Sequence, residues 1–142
     1  MVTPILDNIE KIRIIDKSGM IDFAINASHH YSEAAKIADR IVVDYPKPAN
    51  IIVAGLGGSA IGGDLVKDWG KDKISIPIEV CREYNLPAYA GKKTLVVVTS
   101  YSGDTEETLG SFLDAFKRKC IIYCISSGGA LIKYARKHQV PY

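Results

Sequence analysis

Long apolar runs are missing from this 142-residue chain. No stretch approaches the roughly 20 residues that a bilayer-spanning helix requires. A secretory leader is not legible either, because acids and an arginine break the first twenty residues early. An excess of one charge is also missing: 18 Lys and Arg against 16 Asp and Glu leave +2. That argues against nucleic acid or an anionic membrane as a partner. The densest basic cluster, Lys117-Arg118-Lys119, falls where a helix is expected to end, and cations there complement the helix dipole. Cysteine is scarce. Cys81, Cys120 and Cys124 have no metal-ligand spacing, and their odd number argues against a disulfide framework. Cys120 and Cys124 share one face of an expected strand but stand about 13 Å apart along it. They read as buried thiols in a reducing compartment. Histidine is scarce too. His29 and His30 fall on a helix and His138 near a helix end, and no Ser-His-Asp order follows from the spacing. A soluble, cytoplasmic chain is the expectation.

What is present is ordinary in bulk and unusual in two places. The chain is 47% hydrophobic and 24% charged, the balance of a globular domain with a core of its own. Residues 1–50 read as a helical lead-in. Thr3 can cap, Pro4 suits a first helical turn, and Ile5, Ile9 and Ile12 share a face. From Ser28 to Tyr45 a second helix is expected, since Tyr31, Ala34, Ala35, Ala38, Ile41, Val42 and Tyr45 follow the helical period. Pro46 and Pro48 then stop it.

Residues 51–142 alternate strand and helix. Ile51–Leu56 is a continuous apolar run, the mark of a strand buried on both faces. A helix is expected from about Ser59 to Trp69. Further strands are expected at Ile76–Arg82, Thr94–Ser100 and Cys120–Ser126. Leu109, Phe112, Leu113 and Phe116 repeat at i, i+3, i+4 and i+7, so a helix joins the last two of these strands. Another helix is expected over Gly128–His138, and Val140-Pro141-Tyr142 begins what reads as a fifth strand. This alternation predicts an α/β fold: a parallel sheet in the order 2-1-3-4-5, helices on both faces, the N-terminal helices packed on it.

In open parallel sheets, ligands bind beyond the carboxyl ends of the strands where strand order reverses. In this order strands one and three are neighbours there. The loops that follow them are Gly55-Leu56-Gly57-Gly58-Ser59-Ala60 and Ser100-Tyr101-Ser102-Gly103-Asp104-Thr105, the two most unusual in the chain. Each has the chemistry to hold an anion. Gly57 and Gly58 allow close backbone approach. Ser59 sits near a helix N-terminus, where N–H groups and the dipole favour negative charge. Ser100 and Ser102 alternate along an extended segment, and Thr105 opens the next helix. Plainer readings stand beside this one. Gly62 and Gly63 read as packing glycines. Ser102 or Asp104 can be an N-cap, and Asp104-x-x-Glu107 resembles a capping box. Ser126-Ser127-Gly128-Gly129 reads mainly as a turn and cap, further from the switch point. Glu106 and Glu107 suit the helix dipole but would repel a phosphate, so they must point away or meet a ligand hydroxyl.

A dinucleotide-binding domain is one alternative, because Gly55-Leu56-Gly57-Gly58-Ser59-Ala60 fits the glycine fingerprint. The acid that should follow at the end of the second strand is not well placed. Glu79 is too early, Arg82 stands near the end, and Glu83 is next. No Gly-Lys-Ser/Thr follows for a nucleotide P-loop.

Gly55–Asp64 and Ser100–Leu109, with Glu83–Pro87 between and Ser126–Ala135 after, resemble the sugar isomerase (SIS) domain. The likeness is to the N-terminal domain of the archaeal-type bifunctional phosphoglucose/phosphomannose isomerases, and it covers nearly the whole chain. It implies a flavodoxin-like αβα sandwich, with residues 1–142 forming a single SIS domain. It also implies a phosphosugar whose phosphate is held by Ser59, Ser100, Ser102 and Thr105, with backbone help from Gly57 and Gly58. Such enzymes interconvert aldose and ketose 6-phosphates through a cis-enediol without metal or cofactor, by carboxylate and histidine acid–base chemistry. A homodimer and a second SIS domain C-terminal to this one are further implications. The catalytic glutamate, the ring-opening histidine and an active-site arginine of that family have no matching positions here, so Glu107, His29 and His30 are not assigned to catalysis. A stand-alone module that senses a phosphosugar and regulates a partner is the other alternative.

Overall fold

The computed structural model describes residues 4–42 and 44–142. The chain forms two compact units, Met1–Asp44 and Tyr45–Tyr142.

The first unit is helical, but its boundaries differ from the expected ones. Thr3 lies outside the described residues. In place of one leading helix there is a 3₁₀ turn, Ile5–Asp7, and then α1, Ile9–Ile15. The break has a local cause. The Asn8 carboxamide accepts from the Lys11 N–H at 3.1 Å, so Asn8 is the N-cap of a new helix. A further helix that the periodicity did not reveal, α2 (Met20–Ile25), follows a glycine with φ of 69° at Gly19. Asp16 reaches forward to accept from the Ile21 N–H at 2.7 Å. That bond, followed by one from Met20, holds the Asp16 carboxyl below its ordinary pKa. α3 (Ala27–Ala38) begins where expected but stops well short of Tyr45. Arg40 and Ile41 close it with tighter turns onto Ile37 and Ala38. The β-branched Ile41 and Val42 that follow are poor helix formers, so the helix is spent before the prolines arrive.

The second unit contains β1 (Asn50–Ala54), α4 (Gly58–Gly70), β2 (Ile78–Cys81), β3 (Thr94–Thr99), α5 (Glu106–Lys117), β4 (Ile121–Ile125) and α6 (Gly129–Lys137). All strand pairs are parallel and the order is β2-β1-β3-β4. The four strands therefore stand as expected. Val140–Tyr142 does not form a fifth strand. It is joined to β4 by one backbone bond, from Cys124 N–H to Pro141 carbonyl at 2.9 Å. Proline has no N–H to give to a ladder, which limits what this segment can pair. Tyr45, expected in a helix, instead lies in this unit and donates its hydroxyl to the Ile122 carbonyl at 3.1 Å.

Strand alternation sends Ile52, Ala54, Val96, Val98, Ile122 and Cys124 to one face, where all are buried. Phe112 and Ala115 of α5 and Leu131 and Ala135 of α6 close over them in one core cluster. α4 lies on the opposite face. There Gly63 comes so close that a Cβ would stand 2.8 Å from the Val53 Cβ. The unit is thus three layers: α4, sheet, α5 with α6. The expectation that β1 is buried on both faces is only half met. Ile52 and Ala54 are fully buried, but Ile51 and Val53 keep some exposure, because α4 alone covers their side within this unit. Among the described residues no helix is long and apolar enough to cross a membrane.

Candidate functional site

β1 and β3 are adjacent, so the loops leaving their carboxyl ends meet. The contact is direct: the Tyr101 N–H donates to Ser59 Oγ at 3.3 Å. Beneath it the strands converge at Gly55, where a Cβ would stand 2.9 Å from the Thr99 carbonyl oxygen. Gly57 has φ of 55° and is the N-cap of α4, a conformation that favours glycine. Gly58 opens α4, and nothing lies within 4 Å of where its Cβ would be. No side chain caps α4. The Ser59 and Ala60 N–H groups donate to the Leu56 and Gly57 carbonyls, each at 3.1 Å, so the anion-attracting character of this helix start rests on the Gly58 amide and the dipole.

The second loop is held by its own hydroxyls. Ser100 is 2% exposed. Its Oγ accepts from the Gly103 N–H at 3.1 Å and lies 3.1 Å from Thr105 Oγ1. Ser102 is exposed and accepts from the Asp104 N–H at 3.3 Å. Thr105, not Ser102 or Asp104, is the N-cap of α5. Its side chain turns to Ser100 rather than capping the helix. The capping box expected for Asp104 and Glu107 does not form. Asp104 accepts instead from the Ala130 N–H at 2.8 Å, at the start of α6.

Glu106 and Glu107 bear on Tyr84, which follows β2. The charge of Glu107, then desolvation, then the charge of Glu106 raise the pKa of the Tyr84 hydroxyl. The two acids thus have a tyrosine hydroxyl beside them. Tyr84 also backs α5, since a Cβ on Gly110 would stand 3.0 Å from its carbonyl oxygen.

Two features of the site go beyond what the sequence pattern shows. The Ser126–Gly129 turn is not remote from the site: Ser127 N–H donates to the Tyr101 carbonyl at 3.1 Å, and Leu131 N–H to the Gly103 carbonyl at 2.9 Å. A second turn built of serine and glycine beside the first was the available signal. The Glu83–Pro87 segment is tied to α5 through Asp114, which accepts from the Leu86 N–H at 2.9 Å and pairs with Arg118 at 2.8 Å. Arg118 also donates to the Pro87 carbonyl at 2.9 Å. The central residue of the basic cluster therefore has a specific partner beyond the helix dipole.

Arg82, near the place where a dinucleotide domain carries its ribose-binding acid, pairs with Asp64 of α4. Glu79 accepts from the Tyr89 hydroxyl. Gly63 is a packing glycine as expected, whereas Gly62 faces open space. Among the described residues no cluster of three or more His, Cys, Asp or Glu has the arrangement of a metal site. An open groove of about 430 Å³ lies on the α4 side of the sheet, lined by Ile51, Val53, Leu95, Val97 and Ile125, with Ser59 and Thr99 at its polar end. Its aliphatic walls offer nothing to sugar hydroxyls, so the polar loops remain the candidate site.

No family model matches the chain. It is 41% identical over 120 residues to a bifunctional phosphoglucose/phosphomannose isomerase of Caldicellulosiruptor bescii, covering 83% of this chain and 35% of that protein. To the protein of the same description from Thermoplasma acidophilum it is 39% identical over 83 residues, 58% of this chain and 26% of the relative. Tagatose-6-phosphate ketose/aldose isomerase of Escherichia coli superposes with a TM-score of 0.56 at 17% identity, covering 88% of this chain and 35% of that one. That likeness bears on the fold alone, and it agrees with the flavodoxin-like α/β architecture expected from the sequence. The chain spans about a third of the length of the first relative, 35%.

Proposed function

We propose that this chain, which is homologous to part of the bifunctional phosphoglucose/phosphomannose isomerases, is the phosphosugar-binding domain of an aldose–ketose isomerase. One observation carries the reading most: the loops after β1 and β3 meet at Ser59 and Tyr101, beside two helix starts that take no side-chain cap. Oriented amides and neutral hydroxyls are the donors that a phosphate monoester accepts from. In this reading Gly57 and Gly58 supply backbone approach, and Ser59, Ser102 and Thr105 supply hydroxyls. Ser100 belongs to the same cradle but acts chiefly by shaping it, since it is buried and already bonded to Gly103 and Thr105.

The substrate is a hexose 6-phosphate. Isomerisation moves a proton from C2 to C1 through a cis-enediol, with no net change in oxidation state. The base that moves it, and the group that opens the ring, come from a second SIS domain or a partner subunit. The full enzyme is a cytoplasmic homodimer of carbohydrate metabolism.

Calorimetric titration with fructose 6-phosphate, glucose 6-phosphate and NAD tests the reading. The sugar phosphates are expected to bind weakly and NAD not at all. NAD binding without sugar-phosphate binding would favour a dinucleotide domain. In a coupled assay the 142-residue chain is expected to show no turnover, and robust isomerisation by it alone would show that catalysis needs no further domain.

A further inference from the structure

We propose that Asp104 is the positioning residue of the phosphate cradle. It locks the loop that carries Ser102 and Thr105 onto the first turn of α6. The inference rests on the phosphosugar reading of the site and deepens it.

Asp104 stands immediately before Thr105, the N-cap of α5, and sequence chemistry favours it as a cap for α5. The structure gives it a different helix. Its Oδ1 accepts from the Ala130 N–H at 2.8 Å, in a helix that has no side-chain cap from its own N-cap residue, Gly128. The next amide of α6, Leu131, donates to the carbonyl of Gly103 at 2.9 Å. Two consecutive α6 amides thus grip two consecutive residues of the candidate loop. On the other side Ser127 donates both its N–H, at 3.1 Å, and its hydroxyl to the Tyr101 carbonyl. Gly103 and Gly129 have φ of 76° and 71° and interleave so closely that a Cβ on either would collide with the other's turn.

The consequence is chemical as well as geometric. A carboxylate next to a phosphate site would repel the dianion. Here the carboxylate is turned onto the positive end of α6, where an anion is stabilised. Thr105 is thereby held, and the amides that open α5 stay uncapped by the acid that precedes its N-cap. An acceptor oxygen is what the role requires, so asparagine should serve and alanine should not.

The test uses fructose 6-phosphate as probe, with Asp104→Ala and Asp104→Asn compared by calorimetry and the Ala130 amide followed by NMR hydrogen exchange. Circular dichroism checks that both variants fold. Asp104→Ala is expected to raise Kd about tenfold or more and to speed exchange at Ala130. Asp104→Asn is expected to hold Kd within about threefold of the parent and to keep Ala130 protected. Unchanged affinity in a folded Asp104→Ala chain would overturn the inference and leave the phosphate reading standing. Equal weakening in both variants would overturn it too, by making the charge rather than the acceptor responsible. Failure of the parent chain itself to bind fructose 6-phosphate would overturn the phosphate reading, and with it this inference.

Discussion

The hydroxyl oxygens of Ser100 and Thr105 lie 3.1 Å apart, and that pair closes the turn between β3 and α5. Thr105 turns its side chain to this contact, which leaves its own helix without a side-chain cap and its hydroxyl with capacity for a further partner. Ser100 also accepts from the Gly103 N–H at 3.1 Å.

Ser100→Ala and Ser102→Ala should therefore behave differently. The first leaves a buried donor at Gly103 unpaired and is expected to cost about 1–3 kcal/mol of stability, together with sugar-phosphate affinity. The second removes an exposed hydroxyl and should stay within about 0.5 kcal/mol of the parent in stability. Its Kd for fructose 6-phosphate should still rise. Urea titration and calorimetry on the two proteins separate the roles. Equal stability losses would mean that Ser102 belongs to the scaffold.

Gly62 and Gly63 are neighbours with opposite expectations. A Cβ at Gly63 meets the Val53 Cβ at 2.8 Å, so Gly63→Ala overpacks the α4–sheet contact and is expected to cost about 1–3 kcal/mol. A Cβ at Gly62 meets nothing within 4 Å. Gly62→Ala is then expected to stabilise by up to about 1 kcal/mol through helix propensity. Thermal melts of the two single variants, read for the sign of the shift, decide it.

Asp114 joins α5 to the segment after β2. Asp114→Ala strips the acceptor from the Leu86 N–H and the partner from Arg118. A loss of about 1–3 kcal/mol is expected. Asp114→Asn should recover part of it by keeping an oxygen for Leu86. If both variants melt with the parent, the tie contributes nothing.

Burial pushes the Cys124 thiol up from 9.0 to about 12. The folded pKa is raised, so the stabilisation is fully present below about pH 9 and is lost as pH climbs through 12. In denaturant titrations, stability should fall more steeply over that window in the parent chain than in Cys124→Ala. Identical slopes would show that the thiol titrates alike folded and unfolded.

Much of this was legible in the residues. The strands from β1 to β4 and the helices between them announce themselves by composition and period, and the two glycine–hydroxyl loops follow from where strand order turns back. The helical lead-in is less legible. Asn8 breaks a helix that the isoleucine spacing carries straight through, and α2 is too short, at six residues, for a period to show. A cap is a single bond, and one bond outweighs a weak repeat.

The alternation of strand and helix, the parallel sheet and the meeting of the Gly55 and Ser100 loops were determined by the sequence itself. Those features arise from local periodicity and from a handed crossover rule that acts on every such unit. What only the tertiary structure decided is where each polar atom finds its partner. Asp104 reaches Ala130, 26 residues on, and Ser59 reaches Tyr101, 42 residues on. A carboxylate beside a helix start will cap whichever free amide comes within reach, and two helices offered one. Packing of α5 and α6 over the same buried face brought the second within 2.8 Å, a distance no pattern in the chain encodes.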